Sequence, residues 1–394
     1  MLGAFAPTLV LEIGIGAMLP VVAATATGRG ASLTVAGLVA ALLGVGKILF
    51  DLPAGALAQR WGDRTAMLLA GLVAAAAFST IALTDTLAGL AAGVLALGAA
   101  NAVFNLARQS YLTAVTPPLR RARVLSTLAG VHRIGLFVGP FAGAAVIAAT
   151  SVRGAFWLGT GAALTAVLIL VLVGPDADDA AAARPAAAPG TKVSIRAVAR
   201  EHRHLFATLG LAIALVAAVR GARQTVIPLW GEHLGLDAEV TSLLFGLSGA
   251  LDMLLFYPAG KVMDRFGRLW VAVPSMLVMA VGLAILPFMH TVAGAAVAAA
   301  VLGVGNGMGS GIVMTLGADV APAATRPTFL SVWRLFQDTG DAVGPLVLAG
   351  GAALGSLAAG VWATAVLGAG SAAALARWVP RYSPLANLRR RPRL

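Results

Sequence analysis

Residues 44–64, GVGKILFDLPAGALAQRWGDR, return 205 positions later as residues 249–268, GALDMLLFYPAGKVMDRFGR. Pro53, Ala54, Gly55, Arg60 and Gly62 fall on Pro258, Ala259, Gly260, Arg265 and Gly267. The register then holds without a gap. Asn101 meets Asn306, Pro117 meets Pro322, Arg121 meets Arg326, and Leu125 and Ser126 meet Leu330 and Ser331. Gly135, Gly139 and Pro140 meet Gly340, Gly344 and Pro345. One spacing kept over this much chain is the mark of two homologous halves, and the period is too long for a solenoid. Whatever the chain folds into must be buildable twice.

Hydropathy says what is duplicated. Hydrophobic residues make up 59% of the chain and charged ones 11%, too little charge to cover a soluble surface. Twelve apolar stretches are expected to span a bilayer, near 4–26, 33–58, 65–84, 86–114, 122–149, 153–174, 204–230, 238–262, 268–289, 291–319, 326–350 and 356–378. The first lacks a charged leader and opens a series of spans, so it reads as a span and not as a secretory signal. The expected layout is an N-terminal bundle over 1–174, a Pro/Ala/Asp-rich linker over 175–203, a C-terminal bundle over 204–380 and a basic tail over 381–394. Residues 193–204 read as a solvated lead-in to the seventh span. Internal glycines such as Gly89, Gly93, Gly98, Gly303, Gly305, Gly307, Gly309 and Gly311 are read as allowing close helix packing in lipid.

The net charge of +12 raises the question of nucleic acid, and the placement of the charges answers it. Twenty basic residues fall in alternate loops, the linker and the tail, against only Arg29 and Arg153 on the other side. That bias puts both termini in the cytoplasm of a multi-pass inner-membrane protein. The tail is read as a topology determinant or a contact for anionic lipid, with no nucleic-acid partner. The chain has no cysteine, which excludes disulfides, thiolate metal sites and cysteine nucleophiles. No Ser/His/Asp constellation or phosphate loop stands out, so an enzyme is not expected and no metal or cofactor is implied.

Residues 55–64 and 260–268 resemble the cytoplasmic signature of the major facilitator superfamily, the loop between the second and third helices of each half. The residues that carry it are Gly55, Arg60, Gly62 and Arg64, then Gly260, Asp264, Arg265, Gly267 and Arg268. The second copy has the family's acid-base pair, Asp264 and Arg265, whereas Gln59 stands in the acid's place in the first. Residues 135–143, GLFVGPFAG, resemble the fifth-helix signature of the family's antiporters through Gly135, Gly139, Pro140 and Gly143, with Ala144 where a further glycine is usual. Arg108, in NLARQSY, resembles the buried arginine of the same exporters. The resemblance covers nearly the whole chain. It implies an all-α integral membrane fold of twelve transmembrane helices, two six-helix bundles related by a pseudo-two-fold axis, with alternating access about a midplane site. It also implies that the glycine face of the fifth helix meets the other half.

Ionisable residues at membrane depth are costly and mark function unless they are satisfied locally. Lys47 and Asp252 occupy equivalent positions of the repeat, as do Arg133 and Asp338, with charge reversed each time. In the family fold this sets Arg133 beside Asp252 and Asp338 beside Lys47, each about 18 Å from its helix end. Two symmetry-related interdomain salt bridges are therefore expected, either as a proton-operated switch or as permanent structural pairs. Glu12, held by Arg108, is the first candidate to exchange protons with substrate; a structural pairing of the two is the alternative. Asp252 and Asp338 are further proton-coupling candidates. Arg220 and Arg223 share a helix face with no evident local acid, and so suit an anionic group of the substrate, unless they pair with Glu232. Asn306 completes the substrate-binding set. His132 is expected to be satisfied within its bundle, and Arg334 to find a nearby acid. Phe104, Tyr111, Phe137, Trp230 and Trp333 are either an apolar cavity wall or packing.

The function expected is a proton-coupled antiporter that exports small amphipathic or drug-like molecules. It would draw on the proton gradient without a cofactor, act as a monomer, and have substrate, protons and membrane lipids as its partners. The alternatives are export of anionic metabolites or lipids, proton-coupled uptake, and a receptor that has lost transport.

Overall fold

The computed structural model describes residues 2–116, 121–173, 195–322, 325–383 and 385–387. Among the described residues, twelve long helices follow one another. They are α1 (Leu2–Met18), α2 (Leu33–Trp61), α3 (Asp63–Leu83), α4 (Leu87–Val115), α5 (Arg121–Ala149), α6 (Val152–Val173), α7 (Leu211–His233), α8 (Ala238–Phe266), α9 (Leu269–Ile285), α10 (Val292–Met308), α11 (Arg326–Ala353) and α12 (Leu357–Tyr382). Among the described residues, eleven helical stretches are long and apolar enough to cross a membrane. The twelfth expected span, α11, has the length but carries Arg334, Asp338 and Asp341, which lower its hydropathy.

The repeat seen in sequence reappears in the geometry of the turns. Gly30 and Gly235 both have φ in the left-handed region, as do Gly62 and Gly267 at the ends of α2 and α8. Each pair is 205 positions apart. Gly62 is the one residue between α2 and α3, so a side chain there would force a strained turn with no slack to absorb it. The helix caps repeat too. Thr86 accepts from the Gly89 amide ahead of α4, and Thr291 from the Gly294 amide ahead of α10, both at 3.1 Å.

By contact, the helices form two compact units: Met1–Pro189 with Pro228–Gly246, and Gly190–Ile227 with Leu247–Leu394. In the first, α1 packs on α5 and α6, α2 on α4, and α3 on α4 and α6. In the second, α9 packs on α10 and α12, and α11 on α12. Pro228–Gly246 joins the first unit where the Thr27 hydroxyl donates to the Glu232 carboxylate and Gly246 abuts the Phe141 ring. Thr27 and Glu232 are themselves repeat-equivalent positions.

Three local features depart from the sequence expectations. Gly55 and Gly260 lie inside α2 and α8 and do not form the turn, because both helices run on past the signature prolines. Residues 195–201 form a short helix that buries Val198 completely, and His202 stands edge-on to Phe329 at 5.4 Å. This lead-in is docked on its apolar side, not solvated. The tenth span is broken: α10 stops at Met308, Gly311 takes φ of 79°, and a second helix runs Ile312–Val320. Linker residues 175–194, Arg120 and tail residues 388–394 lie outside the described residues, as do the side chains of Gln59, Arg121, Arg123 and Arg326.

Candidate functional site

The first bundle carries a polar cluster on α1, α4 and α5. Glu12 is 1% exposed, and its Oε1 lies 2.8 Å from Nδ1 of His132, whose side chain is about one-third exposed. The contact follows from backbone approach. At Gly135, one helical turn beyond His132, a Cβ would meet the Cβ of Glu12 and the carbonyl of Leu9. With no side chain there, α5 lies against α1 and brings the imidazole to the carboxylate. Arg108 is buried, and its Nη1 donates to Thr8 Oγ1 at 3.0 Å. Thr8 sits one turn before Glu12 on the same face of α1, and Arg108 lies near enough to interact electrostatically with the Glu12 carboxylate as well. On α4, Asn105 donates its amide to Asn101.

The antiporter-like face is corrected as well. Gly139 abuts Gly16 and the Ile13 carbonyl, and Gly143 abuts Ala17, so Gly135, Gly139 and Gly143 all lie against α1 of their own bundle. Gly340 and Gly344 of α11 meet Ala214 and Ala218 of α7 in the same manner, and Gly221 meets Asp341 as Gly16 meets Leu136. The glycine face is a packing surface, present in both repeats. Pro140 lies inside α5 as Pro345 does inside α11.

The second cluster joins α7, α8 and α10. Arg223 is 8% exposed; its Nη1 donates to Ser248 Oγ at 2.8 Å, and its Nη2 lies 3.7 Å from Asp252 Oδ2. Asn306 donates to the same carboxylate oxygen at 2.6 Å. The local acid that the sequence left unidentified for Arg223 is therefore Asp252, on the next helix. Arg220 donates to the carbonyl of Gly309 at the break in α10, an oxygen that also accepts from the Ile312 amide at 3.2 Å. A cation at that point also faces the negative end of a half-helix dipole. Asp252, expected to meet Arg133, has Asn306 and Arg223 as partners within its own unit. Asp338, expected to meet Lys47, has Arg334 one turn away at 3.7 Å. Lys47 and Arg133 are both half-buried.

The signature loops differ between the halves. Arg64 donates from Nη2 to the Leu170 carbonyl at 2.6 Å and so caps the end of α6. Arg268 instead forks onto Asp319, Nε to Oδ2 at 2.8 Å and Nη2 to Oδ1 at 3.2 Å, with Asp264 3.8 Å away. Arg265 lies over the Phe266 ring and Arg60 is exposed. Phe104, Trp230 and Trp333 are buried, and Trp333 donates its indole N–H to the Val313 carbonyl at 3.0 Å, so these aromatics serve packing.

Of the residues named from the sequence, Glu12, Arg108, Arg223, Asp252 and Asn306 lie in these two polar clusters; Thr8 and Ser248, which touch them, were not named, and His132 was not assigned to Glu12. A signal for His132 existed: His132, Gly135, Gly139 and Gly143, spaced three, four and four apart, share one helix face.

A duplicated helical membrane fold with ionisable clusters deep in each bundle defines a polytopic transporter. The family model described as Major Facilitator Superfamily matches residues 4–345 and 209–391, and the chain belongs to that family. It is accordingly a secondary transporter and not an enzyme. Among curated proteins no match is found. Solved structures similar to the chain include a POT family transporter in complex with a thioalcohol-conjugated peptide, 12% identical with TM-score 0.78, covering 96% of each chain. A D-xylose-proton symporter is 15% identical with TM-score 0.71, covering 98% of this chain and 97% of that one. The human organic anion transporter MFSD10 is 16% identical with TM-score 0.67, covering 95% and 98%. At these identities the likeness shows the fold alone.

Proposed function

We propose that the chain is a proton-coupled antiporter that exports small amphipathic molecules from the cytoplasm, with both termini on the cytoplasmic side. The observation that carries this reading is the Glu12 carboxylate, buried in α1 and touching His132, whose side chain is about one-third exposed. Such a carboxylate changes charge at a cost set by the cations near it, His132 when protonated and Arg108, and so can couple occupancy to protonation. Export over uptake is proposed on the resemblance of Gly135, Gly139, Pro140 and Gly143 to the antiporter signature alone, since their packing against α1 is shared by the second repeat. The cross-bundle pairs of Lys47 with Asp338 and Arg133 with Asp252 remain part of the proposal as the elements that hold one state closed.

The test uses purified protein in liposomes with an imposed pH gradient and a panel of amphipathic cations, anions and neutral compounds. Glu12→Gln is expected to abolish gradient-driven flux while leaving substrate counterflow, which needs no net proton movement, within about threefold of wild type. Loss of both, or loss of neither, removes Glu12 from coupling. A second reading, export of organic anions, is favoured by Arg220, which meets the Gly309 carbonyl in the second cluster. Anionic substrates alone driving counterflow would select it.

A further inference from the structure

Glu232 belongs to neither polar cluster. It stands one residue from the end of α7, half-buried, and its carboxylate accepts from the Thr27 hydroxyl. Thr27 is one residue from the end of the short helix Val22–Gly28, which continues α1 beyond a 3₁₀ turn at Leu19–Val21. That hydroxyl has a single hydrogen and further acceptors in reach, the Ala23 and Ala24 carbonyls of its own helix at 3.2 and 3.1 Å. The carboxylate outcompetes them while it is ionised, because a charge-assisted hydrogen bond is about twice as strong as a neutral one. Once Glu232 takes up a proton, Thr27 can turn back onto its own helix with no donor left unsatisfied.

The bond holds a definite piece of chain. Pro228–Gly246 packs with the first unit although the residues on both its flanks pack with the second. Its two ends are places where a helix yields. Pro228 lies inside α7 and has no N–H for the carbonyl four residues back, and Gly246 lies inside α8 with no side chain to restrict its backbone. Between them, the end of α7 and the start of α8 are packed as one hairpin, since Gly231 lets Thr241 lie directly against α7. The hairpin meets the rest of the first unit where Glu232 accepts from Thr27 and where Gly246 abuts the Phe141 ring.

The other ionisable groups nearby are engaged elsewhere or lie apart. Among the described residues, the Thr27 hydroxyl acts on the Glu232 carboxylate and no charged side chain does. His233, the next residue, is exposed and stacks on Trp230 at 4.8 Å. Arg29 donates to the Ile81 and Thr86 carbonyls, and Asp237 and Glu239 follow on the way into α8.

We propose that Glu232 is a second proton site, read from the outer face, and that its protonation releases the hairpin Pro228–Gly246 from Thr27. The inference rests on the proposed orientation and export for which face is outer, and adds a gate to the coupling assigned to Glu12. Its sign follows from the bond. Ionised Glu232 holds the hairpin, and the hold weakens as outer pH falls. An outer face more acidic than the cytoplasm then favours opening at the end where an exporter releases its substrate.

The chain has no cysteine, so two can be introduced to carry spin labels. Gly28→Cys adds a Cβ that meets nothing within 4 Å, and Asp237→Cys lies at an exposed position on the hairpin. The full-length labelled protein is reconstituted in nanodiscs without substrate. The distance between the labels is read at about pH 8 and about pH 4.5, which span most of the range in which protein carboxylates titrate. A longer distance is expected to gain population by at least about threefold at the lower pH. Glu232→Gln should show the longer population at both pH values, and His233→Gln should respond as the parent does. Thr27→Val should show the longer population already at the higher pH, with Thr27→Ser restoring the parent's response, which keeps the test open if Glu232→Gln fails to fold. A parent distance that ignores pH overturns the proposal. So does a full pH response in Glu232→Gln, or its loss in His233→Gln, either of which assigns the switch to another group. The distances need neither flux nor gradient, so a chain that moved no protons across liposomes would fail as an antiporter and leave this result standing.

Discussion

At the level of single residues, the two clusters differ in how a charge is balanced. Glu12 touches an imidazole that carries a charge only when protonated, with the Arg108 guanidinium acting on it from farther off, whereas Arg223 has Asp252 as its acid and Ser248 as a neutral partner. Removing one member of a largely buried pair leaves the other uncompensated, at a cost of about 3 kcal/mol or more. Asp252→Asn is therefore expected to lower thermal stability in detergent, and Asp252→Asn with Arg223→Gln to recover part of the loss. A double variant no more stable than the single one would show that the pair does not act as a unit. His132→Gln keeps a polar contact for Glu12 but cannot take up a proton. It is expected to change the pH profile of transport while leaving unfolding temperature close to wild type.

At the level of helices, packing rests on places where a side chain is missing. A Cβ at Gly139 would come within 2.6 Å of Gly16 Cα and of the Ile13 carbonyl, and one at Gly344 would run into the backbone of α7. Backbone cannot give way as a flexible side chain can, so Gly139→Leu and Gly344→Leu should each cost about 1–3 kcal/mol, read as a fall in unfolding temperature. The caps offer a milder check. Thr86→Ala and Thr291→Ala each leave a first-turn amide without its acceptor and should cost about 1 kcal/mol. Similar losses at both members of each pair would show that the repeat is energetic as well as geometric.

At the level of the whole molecule, the scaffold is duplicated and the chemistry is not. Glu12 and Arg108 have Ala217 and Val313 at the equivalent positions of the second half, and Arg220 and Arg223 have Ile15 and Met18 in the first. Each half thus contributes a different set of charges from one architecture. The proposed cross-bundle pairs are tested by charge exchange. Lys47→Asp and Asp338→Lys should each impair transport, and the two together should restore it at least in part. Failure of the exchanged pair, with each single variant folded, would mean that these residues serve their own bundles alone.

Much of this was legible in the sequence because it depends on spacing along one chain. The register of 205, the apolar spans and the turn glycines are local or periodic signals, and the geometry of Gly30 with Gly235 and of Gly62 with Gly267 repeats them. Which polar group meets which is a matter of helix packing, set to within a few ångströms by contacts far apart in sequence. Gly135 brings His132 to Glu12, α8 brings Asp252 to Arg223, and the break at residues 309–311 turns the Gly309 carbonyl to Arg220 as well as to the Ile312 amide. The sequence alone determined a duplicated helical membrane protein with its charges at identifiable depths. Only the tertiary structure decided their partners, because a helix specifies the face a side chain shares but not the neighbour that face will find.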